Sequence, residues 1–82
     1  MAASQKQIEF TAHADAQMAA RAVSRNQVAN TIRQPTTKKA GNTQYTQRLE
    51  RDFPPNRRLV VIVEELGDKI KVVTTYWQQI TK

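Results

Sequence analysis

Along the chain the period of the apolar positions changes once, from about 3.6 to 2, and the change separates a helical part from a strand part. Before it, Gln7 to Phe10 alternates polar and apolar side chains, the pattern of a short first strand. Thr11 then suits an N-cap, because its hydroxyl can accept from a free backbone N–H of the following turn. The Ala-rich residues 12–22 form helix readily. Within them Ala14, Met18 and Ala22 recur every fourth position and stack as one apolar stripe facing the core. Ser24 and Gln27 match the capping box S-x-x-Q and open a second helix, in which Val28, Ala29 and Ile32 face inward. Pro35 disfavours helix at Gln34 and stops the element near Arg33, leaving residues 35–42 as a polar, basic, mobile connection.

From Thr43 onward the strand period takes over. Tyr45, Gln47 and Leu49 alternate with Thr46, Arg48 and Glu50, a half-exposed strand that Pro54, Pro55 and Asn56 break. Leu59 to Val63, LVVIV, is apolar at every position and largely β-branched, as expected of a central strand covered on both faces. Leu66, Gly67 and Asp68 supply hairpin turn chemistry, and KIKVVTTYW, Lys69 to Trp77, returns. Short loops between neighbouring strands imply an antiparallel meander. The expected fold class is α+β: two N-terminal helices packed on a twisted antiparallel sheet of three strands, or four if Ile8 and Phe10 join an edge. All of it forms a single domain over 1–82.

Composition narrows the class of protein. A chain of 82 residues has room for one small core. With 39% apolar and 24% charged residues it reads as globular rather than disordered. The absence of cysteine rules out a disulfide scaffold and any thiolate metal site. MAASQKQ carries no apolar signal stretch, and Leu59 to Val63 is far too short to span a bilayer, so the expectation is a soluble, cytoplasmic protein. Thirteen Lys and Arg against seven Asp and Glu leave a net charge of +6, a field that attracts polyanions. Nucleic acid is the first partner this suggests; solubility alone, or docking onto an acidic protein, are the alternatives.

Three groups of residues carry candidate chemistry. His13, the single histidine, lies with Gln17 and Arg21 at i, i+4, i+8 beside the core stripe of the first helix, where the lip of a cleft would form. A helix N-terminus disfavours imidazolium, and neutral imidazole can act as a general base. The structural alternative makes His13 an edge residue bonded to a backbone carbonyl, with Arg21 solvated or paired to Asp15 or to a C-terminal carbonyl. The second group is cationic: Arg48 and Arg51, Arg57 and Arg58, with Lys38 and Lys39 on the preceding connection. Guanidinium forks match phosphate oxygens, and several on one surface would follow a nucleic-acid backbone. Strand alternation sets Arg48 and Glu50 on one face and Arg51 on the other, so the arginines cannot all act together, and the alternative for Arg57 and Arg58 is a charged strand entry that discourages edge-to-edge pairing. In the third group, TTYW, Thr74 and Tyr76 share one face and Thr75 and Trp77 the other. They suit phosphate binding and base stacking, or equally core and cross-strand pairing. One histidine, no cysteine and scattered carboxylates make no metal-ligand set, and no phosphate-binding glycine loop occurs.

FTAHADAQMAARAVSRNQVANTI, residues 10–32, resembles the opening of a family of small bacterial domains of uncharacterised function, with the pattern F-T-x-H-A-x-x-R-M-x-x-R-G-I-S-x-x-x-V. His13, Ala14, Met18, Arg21, Val23, Ser24 and Val28 fall at matching positions, and LVVIVEELGDKIKVVTTYW is similar to that family's closing hairpin. The family is grouped by resemblance with RelE/ParE-like toxins and the small metal-independent ribonucleases of toxin–antitoxin and contact-dependent inhibition systems. The resemblance implies a RelE-like fold, no cofactor, and attack of an RNA 2′-hydroxyl on its own phosphate. It implies His13 as base or acid, Arg21 and Arg48 as the phosphate clamp, and Thr75 or Tyr76 as the auxiliary group. It also implies tRNA or mRNA as substrate and an antitoxin or immunity protein as partner. Gln17 stands where the family usually has its first arginine, and Ala22 where it has glycine. Acid–base cleavage needs a second proton-transferring group, for which Tyr76, a lysine or Glu50 are the candidates. A non-catalytic module of the same fold holding RNA, DNA or an acidic partner through its arginines, and a protein dimerising through a sheet edge, are the rival readings.

Overall fold

Residues 7–41, 45–54 and 56–80 are described by a computed structural model. In order they form β1 (Gln7–Phe10), α1 (Ala12–Arg21), α2 (Arg25–Arg33), β2 (Thr37–Ala40), β3 (Thr46–Phe53), β4 (Arg57–Leu66) and β5 (Lys69–Gln79). Residues 1–6, 42–44, 55 and 81–82 lie outside the described residues, and with them the N-terminal stretch, the end of the connection at Asn42, the start of the strand period at Thr43 and Pro55 of the strand break.

The local signals for the helices act as the sequence implies. The Thr11 hydroxyl accepts from the Ala14 N–H at 3.0 Å. At α2 the box is reciprocal: Ser24 Oγ accepts from the Gln27 N–H and Gln27 Oε1 accepts from the Ser24 N–H, at 3.1 and 3.0 Å. Two expectations change. Helix α1 ends at Arg21, so Ala22 leaves the apolar stripe and takes a left-handed conformation, φ 55° and ψ 48°. The Val23 N–H then reaches back to the Met18 carbonyl at 2.9 Å, a Schellman closure, and Val23 packs in the core in place of Ala22. In α2 the inward positions are Val28 and Thr31, with Ile32 half-buried and Ala29 only partly covered. Thr31 can be buried because its hydroxyl donates to the Gln27 carbonyl one turn back, leaving its methyl to pack.

The sheet has five strands in the order β1-β5-β4-β3-β2. Strands β3 to β5 form the expected antiparallel meander, β2 extends it at one edge, and a two-residue turn with Gly67 at φ 59° joins β4 to β5. The sheet as a whole is mixed, because β1 joins the free edge of β5 in parallel. Alternation in Gln7–Phe10 predicts a strand but not its partner. Its direction is set at long range by Thr11, whose N–H and hydroxyl both reach the Val72 carbonyl, at 3.4 and 2.9 Å. The fifth strand, β2, falls within the stretch read as a mobile connection. TKKA has no apolar alternation because an edge strand is held mainly by its backbone, and lysines on an edge discourage further pairing.

Both helices lie on one face of the sheet. Ala14, Met18, Val23 and Val28 pack against Leu49, Leu59, Val61, Val63 and Val72, each buried. Each fully buried aliphatic side chain contributes about 1.5–3 kcal/mol. LVVIV is the central strand and is largely buried toward both faces, as expected, although the helices cover only one of them. No described element lies over the second face, yet Val60 on it is fully buried and Ile62 half-buried, outside the helix-side core. Among the described residues no helix is long and apolar enough to cross a membrane.

Candidate nucleic-acid interface

Strand register orders the uncovered face into cross-strand rows. Lys39, Arg48, Ile62 and Thr74 form one row across β2, β3, β4 and β5; Thr37, Glu50, Val60 and Tyr76 form the next; Asp52, Arg58 and Gln78 form a third. Neighbouring strands stand about 4.8 Å apart and rows about 6.7 Å apart, so these side chains are within mutual reach.

Glu50 is the centre of the arrangement. Its carboxylate is buried, and cations from three strands converge on it: Arg48 Nε at 2.5 Å, Arg58 NH1 at 3.8 Å and Lys39 Nζ at 3.9 Å. Arg58 also donates through Nε to Asp52 at 2.8 Å. That hydrogen bond, with the fields of Asp52 and Glu50, holds the Arg58 guanidinium above its ordinary pKa against the opposing effect of burial. A buried carboxylate is tolerable only when paired, and here the pairing also holds the cations in place. Three cations against two carboxylates leave one positive charge in surplus on a fixed frame. Beside it lies a hollow of about 290 Å³, lined by Ala40, Gly41, Arg48, Ile62, Thr74 and Tyr76.

The other face carries a different cluster. Arg21 donates to the Thr75 carbonyl at 3.1 Å and Trp77 Nε1 donates to the Arg21 carbonyl at 3.0 Å, tying the end of α1 to β5. Arg57 stacks over Trp77 at 4.2 Å, Phe53 meets Trp77 edge-on at 5.7 Å, and Arg51 donates to the Gln34 carbonyl at 2.6 Å while lying 5.8 Å from the Phe53 ring.

The candidate residues therefore divide. Arg48, Tyr76, Lys39 and Arg58 come together on the uncovered face. His13 and Arg21 belong to α1 on the opposite side, and Lys38, Arg51 and Arg57 follow the helix-side register of Leu49 and Leu59. Thr75 is fully buried, with its hydroxyl donating to the Val60 carbonyl at 2.9 Å. The single hollow shared by His13, Arg21 and Arg48 does not form, because adjacent strand positions point to opposite faces and the sheet stands between them. His13 is exposed and makes no hydrogen bond to a described residue, while Asp15, offered as a partner for Arg21, pairs with Arg25 at 3.3 Å. Alternation places Glu50 on the face of Arg48. What it cannot give is the burial of Glu50, which comes from cations 11 positions before it and 8 after it in sequence. Among the described residues no three His, Asp or Glu gather as a metal site.

Residues 10–77, most of the chain, match the family described as Domain of unknown function (DUF4258). No curated protein and no solved structure matches the chain.

Proposed function

The chain belongs to this DUF4258 family; from its cation cluster and its resemblance to RelE/ParE-like toxins we propose that it is an RNA-directed domain of the toxin type, which holds the RNA backbone on its uncovered sheet face and cleaves it without a metal ion. The observation that carries the reading is the set of three cations from three strands, Lys39, Arg48 and Arg58, around the one buried carboxylate of Glu50. Guanidinium groups held in this way meet a phosphate without first losing side-chain freedom, and they stabilise charge that develops on it. The resemblance to RelE/ParE-like toxins supplies the reaction. The RNA 2′-oxygen bonds to the adjacent phosphorus as the bond to the 5′-oxygen breaks. The 2′-hydroxyl proton passes to solvent and the leaving oxygen takes a proton from the Tyr76 phenol. In the cell the same reading places the protein in the cytoplasm, held in check by an antitoxin or immunity protein.

A second reading, binding of RNA without cleavage, is favoured by the position of His13 across the sheet from the cations. Incubation of the purified protein with total RNA in EDTA decides between the two. Cleavage is expected, falling about 100-fold or more in Arg48→Ala and unchanged in His13→Ala. Salt-sensitive binding without fragments would establish the binding module. Cleavage lost in His13→Ala and kept in Arg48→Ala would move the chemistry to the helix side.

A further inference from the structure

We infer that the hollow beside Glu50 is a nucleobase pocket, so that the protein takes an unpaired nucleotide of a single strand rather than a duplex. The inference rests on the RNA reading above and specifies what its site accepts. The aliphatic part of the floor is the half-buried Ile62, which lies between Arg48 and Thr74 in its row, with Ala40 at the edge. Tyr76 stands beside Val60 in the adjoining row and offers a half-buried aromatic wall. Thr74 places a hydroxyl, and Arg48 a guanidinium, on the rim. An apolar floor, an aromatic wall and a polar rim suit a flat ring with hydrogen-bonding edges.

Size and charge narrow the occupant. At about 290 Å³ the space lies at the small end of ligand sites, enough for one ring system. Gly41 keeps the end of β2 close to β3: a Cβ there would meet the Thr46 hydroxyl and lie 2.8 Å from Thr46 Cβ and 2.9 Å from its carbonyl carbon, so this wall is a close approach to Thr46, side chain and backbone together. Arg48 is the one cation among the residues lining the hollow; the row on its other side, Thr46, Glu64 and Lys71, carries charges of both signs, so the surplus of positive charge lies toward Glu50. Arg48 belongs to both the pocket and the Glu50 cluster, and Lys39 and Arg58 continue away from it. An occupant with a neutral flat ring at one end and an anionic group at the other matches this polarity. A nucleotide has that form, and its base is free to enter only when unpaired and unstacked.

The test uses a short single-stranded RNA carrying one 2-aminopurine and 2′-O-methyl groups throughout, so that it cannot be cleaved, the same RNA annealed to its complement, and the whole chain in EDTA at fixed salt. Anisotropy reports binding and 2-aminopurine emission reports stacking. The single strand is expected to bind on the order of tenfold tighter than the duplex, with quenched emission. Tyr76→Phe keeps the quench, whereas Tyr76→Ala loses it and about tenfold in affinity. Arg48→Ala weakens binding but keeps the quench at saturation. Equal affinity for single strand and duplex, with emission unchanged, overturns the pocket and leaves the RNA reading standing. Absence of binding to either RNA overturns both. The comparison of single strand with duplex on the unaltered protein holds even if Tyr76→Ala fails to fold.

Discussion

Trp77 and Arg21 tie the first helix to the last strand: the indole N–H donates to the Arg21 carbonyl at 3.0 Å, and the Arg21 guanidinium reaches the Thr75 carbonyl two residues before Trp77 at 3.1 Å. The first bond satisfies a carbonyl in the last turn of α1, where no intrahelical partner remains. It gives the arginine of the family pattern a structural task, on the side of the sheet away from the buried carboxylate.

Trp77→Phe should therefore remove one hydrogen bond while keeping an aromatic ring for Arg57 and Phe53. A loss of about 1 kcal/mol is expected, a fall in melting temperature of roughly 4–8 °C for a domain of this size. Circular dichroism is the measurement, since the change removes the only tryptophan. A melting temperature equal to that of the parent would show that the bond contributes nothing to docking α1.

Ala22 occupies the left-handed position of the closure after α1, φ 55°, where a Cβ costs about 1–2 kcal/mol. The resembled pattern has glycine there. Ala22→Gly relieves the crowding at the expense of a more flexible unfolded chain, and a net gain of about 0.5–1 kcal/mol is expected in urea unfolding. A decrease would mean that the closure tolerates alanine without strain.

Glu50→Gln keeps the shape of the side chain and removes its charge, leaving Lys39, Arg48 and Arg58 to repel one another. Breaking a buried pair costs about 3–5 kcal/mol, but the side chains of Arg48 and Arg58 are 31% exposed and that of Lys39 57% exposed, so water screens them. About 1–3 kcal/mol is the expected loss. Affinity for a short single-stranded RNA should fall even though the uncovered face gains a positive charge, because the cations lose the group that holds them in place. A parallel fall in stability and affinity is the signature; a rise in affinity would mean that Glu50 neutralises the cations more than it positions them.

Much of the architecture was legible in the chain because its signals are local. The Thr11 cap, the Ser24–Gln27 box, the hairpin at Gly67 and the division of TTYW between two faces each depend on residues a few positions apart, and each has the expected form. The edge strand Thr37–Ala40 was hidden because polar edge residues carry no alternation, and the end of α1 was misplaced by one residue because an alanine in a left-handed cap looks like one more turn of helix.

By itself the sequence determined the two helices, the meander and the basic character of the surface, since period, capping and charge are properties of neighbouring residues and of their sum. Tertiary structure alone decided that β1 runs parallel to β5, that His13 and Arg48 stand on opposite sides of the sheet, and that Glu50 is buried among three cations. Those relationships depend on strand order and cross-strand register, which bring distant positions together and which no local pattern encodes.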